Sequence, residues 1–382
     1  MNFEFATATK IIFGKGAAAR LPEQMKGSGS HPLVLLGTQR MGEALADALP
    51  DLEGIEKIVV NGEPLLPSLT EALEYARSKK CDSVISIGGG SVIDSGKAIS
   101  CLLTNPGDIL DYIEVVGKNQ PLKNKGVPFF ALPTTAGTGA EVTRNAVVNI
   151  PDKQQKASLR SPFMYPTAAI VDPELTYSMP PEVTATTGMD ALTQVLEPYV
   201  SIRANGLVDL FCREGMQRIG RSLVNVYANG MDEVGREDMC WGSLLGGLSL
   251  ANAGLGAVHG FAAPLGGMFE APHGAICARL LAPVTAMNIK VMQAREPGHP
   301  SLARYLEASK LIFGENVNSY EKLVANLEEM TRKLNIKSLR DYGISTKDVD
   351  EIAEKAAQAS SMKANPVKLE INELKEILFS VL

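Results

Sequence analysis

The sequence contains little histidine and few aromatic residues, and it lacks the patterns that mark several classes of protein. Only four histidines occur in 382 residues, and aromatic residues make up 5%. The five cysteines are odd in number and form no C-x-x-C pair, which favours buried thiols in a reducing compartment over disulfides or a thiolate metal site. The N-terminus has no long apolar segment of the signal-peptide type, so we expect a cytoplasmic protein.

Charge and hydropathy exclude two kinds of partner. The formal net charge is −6 and the pI is about 5.5, so we expect neither nucleic acid nor an anionic membrane as a partner. The most apolar stretch, residues 242–269, is interrupted by glycines and by Pro264, which favours buried core helices over a membrane span. The length predicts two or three domains.

The pattern of secondary structure changes near the middle of the chain. In the first half, short β-rich runs such as residues 32–37 alternate with helical periods, which predicts a parallel sheet with helices on both faces. In the second half the strand signal fades and helical periods dominate. Ser178 is a candidate cap for a helix whose first turn tolerates proline. We therefore predict an α/β domain over residues 1–177 and a helical domain over residues 178–382.

Two glycine-rich turns follow predicted strands in the first half. The segment 83–100, SVISIGGGSVIDSGKAIS, predicts a strand, a turn and a helix, and the segment 132–143, LPTTAGTGAEVT, is a second such turn. Glycine lets a backbone approach a phosphate, and a helix N-terminus offers free N–H groups and a partial positive charge. Two such turns at the carboxyl ends of parallel strands favour a bound nucleotide over plain tight turns. Candidate contacts are Thr134, Thr135 and Thr138.

Carboxylate and imidazole side chains in the second half suggest a metal site. On a helix, Asp190 and Gln194 are four residues apart and share a face. A carboxylate on an otherwise apolar helix needs a partner, which can be a cap, a cation or a metal. His259 and His273 lie in apolar, glycine-rich surroundings, where a lone histidine is more often a satisfied core residue. Together, these residues suit Fe²⁺, Zn²⁺ or a similar divalent ion.

Several long motifs of the chain, taken together, resemble one enzyme family. GGGSVIDSGKA, LPTTAGTGAEVT, DPELTYSMPPEVTATTGMDALTQ, NAGLGAVHG and APHG resemble motifs of the iron-containing (group III) alcohol dehydrogenases in order and spacing, and KIIFGKGA and SSMKANPV match as well. The resemblance implies a dehydroquinate-synthase-like fold, in which a Rossmann-like NAD(P)-binding α/β domain precedes an all-helical domain, with the active site in the cleft between them. It implies hydride exchange between an alcohol and its aldehyde or ketone.

The resemblance also assigns metal ligands and catalytic residues. The family's ligands are one aspartate and three histidines, of which Asp190, His259 and His273 match three. Gln194 stands in place of the remaining histidine, and Ala263 stands where many members have a histidine that relays the alcohol proton. Because glutamine offers a neutral oxygen, we expect Fe²⁺ or Zn²⁺ to be retained with reduced affinity on Asp190, Gln194, His259 and His273.

The cofactor preference depends on the end of the first strand. In many NAD-preferring members an acidic residue there binds the ribose, whereas this chain has Gly37, followed by Thr38, Gln39 and Arg40. Without a carboxylate nothing repels the 2′-phosphate of NADP, so the sequence favours NADP acceptance and leaves NAD open. The other nucleotide-facing positions implied by the resemblance are Gly89, Gly90, Ser91, Asp94, Thr134, Thr135, Thr138 and Lys156, with Asp94 expected near the nicotinamide.

Three functions remain open at this point. The first is a metal-dependent NAD(P)-linked alcohol dehydrogenase or aldehyde reductase acting on a small alcohol or carbonyl compound, which the intact Asp190 favours. The second is a metal-free reductase similar to the maleylacetate reductases. The third is a nucleotide-binding protein without turnover, which only the two missing histidines support.

The N-terminal segment predicts self-association. Residues 2–17, NFEFATATKIIFGKGA, alternate apolar and polar side chains and predict a hairpin or extended strand with an unpaired edge. Members of the family commonly extend a sheet across a two-fold axis through this segment, so the resemblance implies a homodimer. The alternative is a monomer in which the strand folds back on its own domain.

Overall fold

The computed structural model describes residues 3–37, 55–153 and 155–382, and the chain divides into two compact units. The first unit comprises Ala6–Thr135 and Gly139–Met179, and is called the α/β unit here. The second comprises Pro180–Leu382 with the short segment Ala136–Thr138 and residues 3–5, and is called the helical unit.

A six-stranded parallel sheet forms the centre of the α/β unit. Neighbouring strands follow the order β1-β8-β5-β4-β2-β3, and every pairing is parallel. The strands are β1 (Ile11–Phe13), β2 (Pro32–Leu36), β3 (Glu56–Val59), β4 (Ser83–Gly88), β5 (Phe129–Pro133) and β8 (Ala168–Val171).

Helices cover both faces of this sheet. Alternate residues of β2 enter two separate clusters, because successive side chains of a strand point to opposite faces. Leu33 and Leu35 pack with residues of α2 (Leu66–Ser78) and α3 (Gly90–Leu102). Val34 and Leu36 pack with Leu21 and Met25 of the short helix α1 (Leu21–Met25). The predicted α/β architecture is confirmed.

Two features of the α/β unit were not predicted from the sequence. An antiparallel hairpin joins β6 (Asn145–Ile150) to β7 (Gln155–Arg160). The residues of β7, QKASLR, include no β-branched or aromatic side chain, so the strand propensity is low. The strand expected over residues 2–17 is confined, among the described residues, to Ile11–Phe13, and it pairs with β8.

The described part of the helical unit contains helices and no strand. Its helices are α4 (Pro181–Val200), α5 (Gly206–Ala228), α6 (Glu233–Ala253), α7 (Ala257–Met268), α8 (His273–Arg295), α9 (Pro300–Phe313), α10 (Tyr320–Lys333), α11 (Val349–Gln358) and α12 (Ile371–Val381). The predicted cap by Ser178 is wrong. Pro180 is the N-cap residue of α4 and no side chain caps the helix, which costs little because proline in the first turn lacks an N–H to satisfy.

The apolar stretch over residues 242–269 forms parts of two helices. α6 and α7 meet at an angle of 99°, and the break contains Gly254, whose φ of +73° favours glycine. Among the described residues, α8 alone is long and apolar enough by itself to cross a membrane, and α6 with α7 passes the same test as a bent pair. Most of the apolar part of α8 is buried inside the fold, as in the core helix of a globular protein.

Candidate functional site

The carboxyl ends of β2 and β4 bring two glycines together. Chain order reverses between these neighbouring strands, because β3 lies beyond β2 while β5 lies beyond β4, and open α/β sheets bind ligands at such a switch point. The Gly37 N–H donates to the Ile87 carbonyl over 3.0 Å. A Cβ atom on Gly37 would lie 3.5 Å from the Gly88 Cα. Main-chain atoms of Gly37 and Gly88 therefore form the surface at this point.

The turn after β4 leads directly into the N-terminus of α3. Gly89 is the N-cap residue, and no side chain caps the helix. The first-turn N–H groups of Gly90 and Ser91 lie at the positive end of the helix dipole. The Thr134 N–H donates to the Gly88 carbonyl over 2.9 Å. Five of the predicted nucleotide-facing residues thus lie at the ends of neighbouring strands: Gly37, Gly89, Gly90, Ser91 and Thr134.

Thr135 also belongs to this group, because a Cβ atom on Gly89 would lie 3.3 Å from the Thr135 methyl carbon. Thr138 lies in the segment Ala136–Thr138, which is part of the helical unit. Thr38, Gln39 and Arg40, which entered the prediction of cofactor preference, lie outside the described residues.

Asp94 and Lys156 have partners within the protein. Asp94 Oδ1 lies 2.8 Å from Lys97 Nζ, and its Oδ2 accepts a hydrogen bond of 2.9 Å from the Val147 N–H. Lys156 Nζ lies 2.6 Å from Glu63 Oε1. Both predicted nucleotide-facing residues therefore also hold elements of the α/β unit together.

Four side chains of the helical unit converge on one point. Asp190 comes from α4, His259 from α7, and His273 and Cys277 from α8. One ligand atom of each lies within 4.8 Å of the others. Asp190 Oδ1 is 3.3 Å from His259 Nε2 and 3.6 Å from His273 Nε2. Residues far apart in sequence thus form one cluster of possible metal ligands.

The burial of this cluster fits a cation. The Asp190 side chain is 3% exposed, and its Oδ1 atom has no hydrogen-bond partner among the described residues. Two imidazole nitrogens face this oxygen without making a hydrogen bond to it, and a metal ion bound between them would satisfy all three atoms. His273 is 38% exposed, so the cluster opens to solvent on the side of that ring.

The pKa values of Asp190 and His259 are shifted because the charged groups of the cluster lie close together. Burial alone would raise the pKa of Asp190, but the imidazoles of His273 and His259 hold that pKa below its ordinary value. Burial alone would lower the pKa of His259, and its interactions with Cys277, Asp190 and Glu197 raise it well above the ordinary value. Oppositely charged forms thus stabilise each other here.

Glu197 orients the His259 ring. Its Oε2 atom lies 2.7 Å from His259 Nδ1, so Nδ1 donates to the carboxylate and Nε2 is left to face the cluster. Glu197 Oε1 accepts from the Val258 N–H over 2.7 Å and so also caps α7. A Cβ atom on Gly256 would lie 2.9 Å from this oxygen, so glycine at position 256 permits the approach.

Gln194 and Ala263 occupy the positions where the family carries histidine. Gln194 is buried, and its Nε2 donates to the Gly137 carbonyl over 3.2 Å. Its Oε1 atom has no hydrogen-bond partner among the described residues. Ala263 is exposed on α7, one turn beyond His259. Neither position supplies an imidazole.

Sequence reasoning missed Cys277, which it counted among the buried thiols. The Cys277 Sγ atom lies 3.9 Å from His259 Nε2 and 3.7 Å from His273 Nε2. A signal was present, because His273 and Cys277 are four residues apart and share one face if a helix begins at His273. Glu197 could have been found similarly, one turn beyond Gln194 on α4.

Comparison with known proteins covers almost the whole chain. The family model described as iron-containing alcohol dehydrogenase matches residues 8–173, and the model described as Fe-containing alcohol dehydrogenase family, C-terminal, matches residues 184–382. The chain belongs to the iron-containing alcohol dehydrogenase family. As a member, it is an NAD(P)-dependent alcohol dehydrogenase with a divalent metal ion, and the predicted family, fold, enzyme class and cofactors are confirmed.

Individual relatives of this alcohol dehydrogenase support the assignment. Alcohol dehydrogenase 4 of Saccharomyces cerevisiae is 36% identical over 306 residues, which cover 80% of this chain and 77% of the yeast protein. The structure of a 1,3-propanediol oxidoreductase superposes with a TM-score of 0.89 at 30% identity, covering 100% of both chains. A sulfoacetaldehyde reductase from Bifidobacterium kashiwanohense, solved in complex with NAD⁺, gives a TM-score of 0.86 at 26% identity, covering 100% of this chain and 99% of the reductase.

Proposed function

We propose that Asp190, His259 and His273 hold the divalent metal of the alcohol dehydrogenase. Gln194, the fourth donor predicted from the sequence, lies one turn beyond Asp190 on α4. The observation that carries this proposal is the buried Asp190 Oδ1 atom, which has no hydrogen bond among the described residues and faces two imidazoles. When bound, the metal supplies the positive charge that polarises a carbonyl oxygen and favours the alkoxide of an alcohol.

Side chains of the protein set the charge and the ligand orientation of this metal centre. Asp190 provides negative charge, and Glu197 fixes the orientation of His259 through its Nδ1 atom. His273 is the exposed member of the group, so a small alcohol or carbonyl compound approaches on its side. Because Ala263 has no ionisable group, this position offers no imidazole to relay the alcohol proton, which would have to reach solvent by another route.

The nucleotide site proposed for NAD(P) consists of the two glycine turns at the sheet edge. Gly89, Gly90 and Ser91 would hold the pyrophosphate at the N-terminus of α3, and Gly37 would leave room for the ribose. Further contacts are proposed for Asp94, Thr134, Thr135, Thr138 and Lys156. In this scheme residues 1–177 form the nucleotide-binding domain and residues 178–382 form the metal and substrate domain.

The protein is proposed to be a cytoplasmic homodimer. The proposed location is supported by the acidic composition and by five cysteines that are all free and buried. Self-association through the N-terminal segment is supported by Phe3, which is 50% exposed, and by the position of β1 at the edge of its sheet.

Substitution of Asp190 tests the proposed metal site. Asp190→Ala removes a buried anionic ligand, so bound divalent metal and activity should be lost together. Elemental analysis after anaerobic purification and NAD(P)H oxidation with small aldehydes measure the two effects. Asp209→Ala changes a carboxylate elsewhere in the helical unit and is expected to retain metal. Full activity in Asp190→Ala without bound metal would contradict the metal mechanism.

A further inference from the structure

We propose that Cys277, rather than Gln194, is the fourth ligand of the metal, and that its thiolate makes the centre a zinc-type site. This inference rests on the metal site proposed above and concerns which residue replaces the missing histidine of the family. The replacement comes from a different helix, α8, one turn beyond His273.

The distances within the cluster match the edges of a ligand tetrahedron. Zinc binds histidine nitrogen and carboxylate oxygen at about 2.0–2.2 Å and thiolate sulfur at about 2.3 Å. A regular tetrahedron with those radii has edges of about 3.3 Å between nitrogen and oxygen and about 3.6 Å between nitrogen and sulfur. The observed separations of Asp190 Oδ1 from the two imidazole nitrogens are 3.3 and 3.6 Å.

The sulfur lies where such a tetrahedron requires it. Cys277 Sγ is 3.7 Å from His273 Nε2 and 3.9 Å from His259 Nε2, within a few tenths of an ångström of the expected edge. Cys277 is fully buried on α8. Four of the six separations among the ligand atoms therefore match such a tetrahedron, and all four atoms lie within 4.8 Å of one another.

Gln194 is the weaker candidate on chemical grounds. Its amide nitrogen already donates to the Gly137 carbonyl, which fixes the orientation of the group. Its oxygen is neutral, whereas a thiolate is a charged, soft ligand that zinc prefers.

Cobalt substitution tests the ligand directly in the intact protein. The metal-free chain is loaded with Co²⁺, and a thiolate ligand is expected to produce a sulfur-to-cobalt charge-transfer band in the near ultraviolet. Absence of that band in a stoichiometric Co²⁺ complex would overturn the proposal. This measurement needs no variant and no substrate.

Three variants assign the band to a residue. Cys277→Ser should abolish the band and weaken zinc binding, measured by competition with a chromophoric chelator. Loss of a group that only supports a ligand costs about 10–100-fold in metal affinity, so loss of a ligand should cost at least about 100-fold, with a smaller effect on Fe²⁺. Cys212→Ser, which changes another fully buried thiol of the helical unit, should retain the band and the affinity, as should Gln194→Ala.

The outcomes separate this inference from the proposed function. An intact protein that binds no divalent metal would contradict the metal site as a whole. A metal-binding protein in which Cys277→Ser keeps the zinc affinity, or in which Gln194→Ala loses it to the same extent, would contradict only the assignment of Cys277. Loss of the band and of zinc affinity in Cys277→Ser alone supports it.

Discussion

Gly37 shows how a single missing side chain bears on cofactor choice. A Cβ atom at this position would lie 3.5 Å from the Gly88 Cα and 3.6 Å from a methyl carbon of Val92, which are ordinary contacts. A Cβ atom can therefore be introduced here without displacing the backbone. The family commonly places a carboxylate at the matching position, where it binds the ribose and repels a 2′-phosphate.

Substitution of Gly37 should move the preference towards NAD. We expect Gly37→Asp to lower the ratio of kcat/KM for NADP over NAD by at least about tenfold, equivalent to about 1.4 kcal/mol, because the carboxylate repels the extra phosphate. Gly37→Asn has nearly the same shape without the charge and serves as the control. A ratio that falls equally in both variants, or in neither, would contradict this explanation. Steady-state kinetics with both cofactors measures it.

Single residues of the metal cluster were only partly predictable from the sequence. Helical spacing relates Asp190 to Gln194, because both lie on one helix. No local pattern places His259 or His273 beside Asp190, and their proximity depends on how three helices pack. Cys277 was missed for a different reason, since its relation to His273 depends on a helix that begins at that histidine, and no such helix was predicted.

At the scale of elements, a buried carboxylate joins α5 to α6. Asp238 lies on α6, and its oxygens accept hydrogen bonds from Arg221 at 2.7 Å, from Arg218 at 3.0 Å and from Ser222 at 2.6 Å. Burial alone would raise the pKa of Asp238, but the bonds from Arg221 and Ser222 hold that pKa below its ordinary value. The pairing therefore stabilises the fold where Asp238 is ionised.

The stability that Asp238 provides should depend on pH. Since the folded-state pKa lies below the unfolded value of about 3.9, the stabilisation is present above that value and is lost as the pH falls through the folded-state pKa. Asp238→Asn should lower the free energy of unfolding at neutral pH by about 1.5–3 kcal/mol, and the difference should shrink under acid conditions. Urea denaturation across the pH range measures both.

Asp350→Asn provides a matched control for this prediction. Asp350 pairs with Lys375 at 2.8 Å but its side chain is 76% exposed, and exposed ion pairs contribute at most about 1 kcal/mol. An Asp238→Asn variant no less stable than Asp350→Asn at neutral pH would show that the buried contacts of Asp238 do not stabilise the fold.

Strands were predictable from the sequence where their residues strongly prefer the β conformation. β2 and β4 are short apolar runs bounded by turn residues, and both were predicted from the sequence. The hairpin of β6 and β7 was missed because its second strand, QKASLR, has little strand propensity and is fixed by pairing with β6. Whether such a segment forms a strand depends on its tertiary contacts.

At the scale of the whole molecule, we expect the N-terminal segment to mediate dimerisation. Phe5 packs against Phe211, with ring centroids 5.7 Å apart, while Phe3 remains half exposed. We expect light scattering at micromolar concentration to give about twice the chain mass of 40.8 kDa. Phe3→Asp should lower this mass towards that of one chain, because a charge in an apolar contact is costly.

Phe379→Asp is the control for the assembly prediction. Phe379 lies on α12 and is 54% exposed. The variant therefore introduces the same charge at an exposed phenylalanine that is distant in sequence from the N-terminal segment. A mass of 40.8 kDa for the intact protein would contradict the dimer. A dimer that persists in Phe3→Asp and dissociates in Phe379→Asp would assign the contact to α12 instead.

Glu197 has a consequence for how the metal enters the protein. One carboxylate holds both the first turn of α7, through the Val258 N–H, and the ring of His259, through Nδ1. Contacts within the protein therefore fix the position of this ligand relative to the helix that carries it. Metal uptake would then require loss of the ligand protons but no reordering of α7.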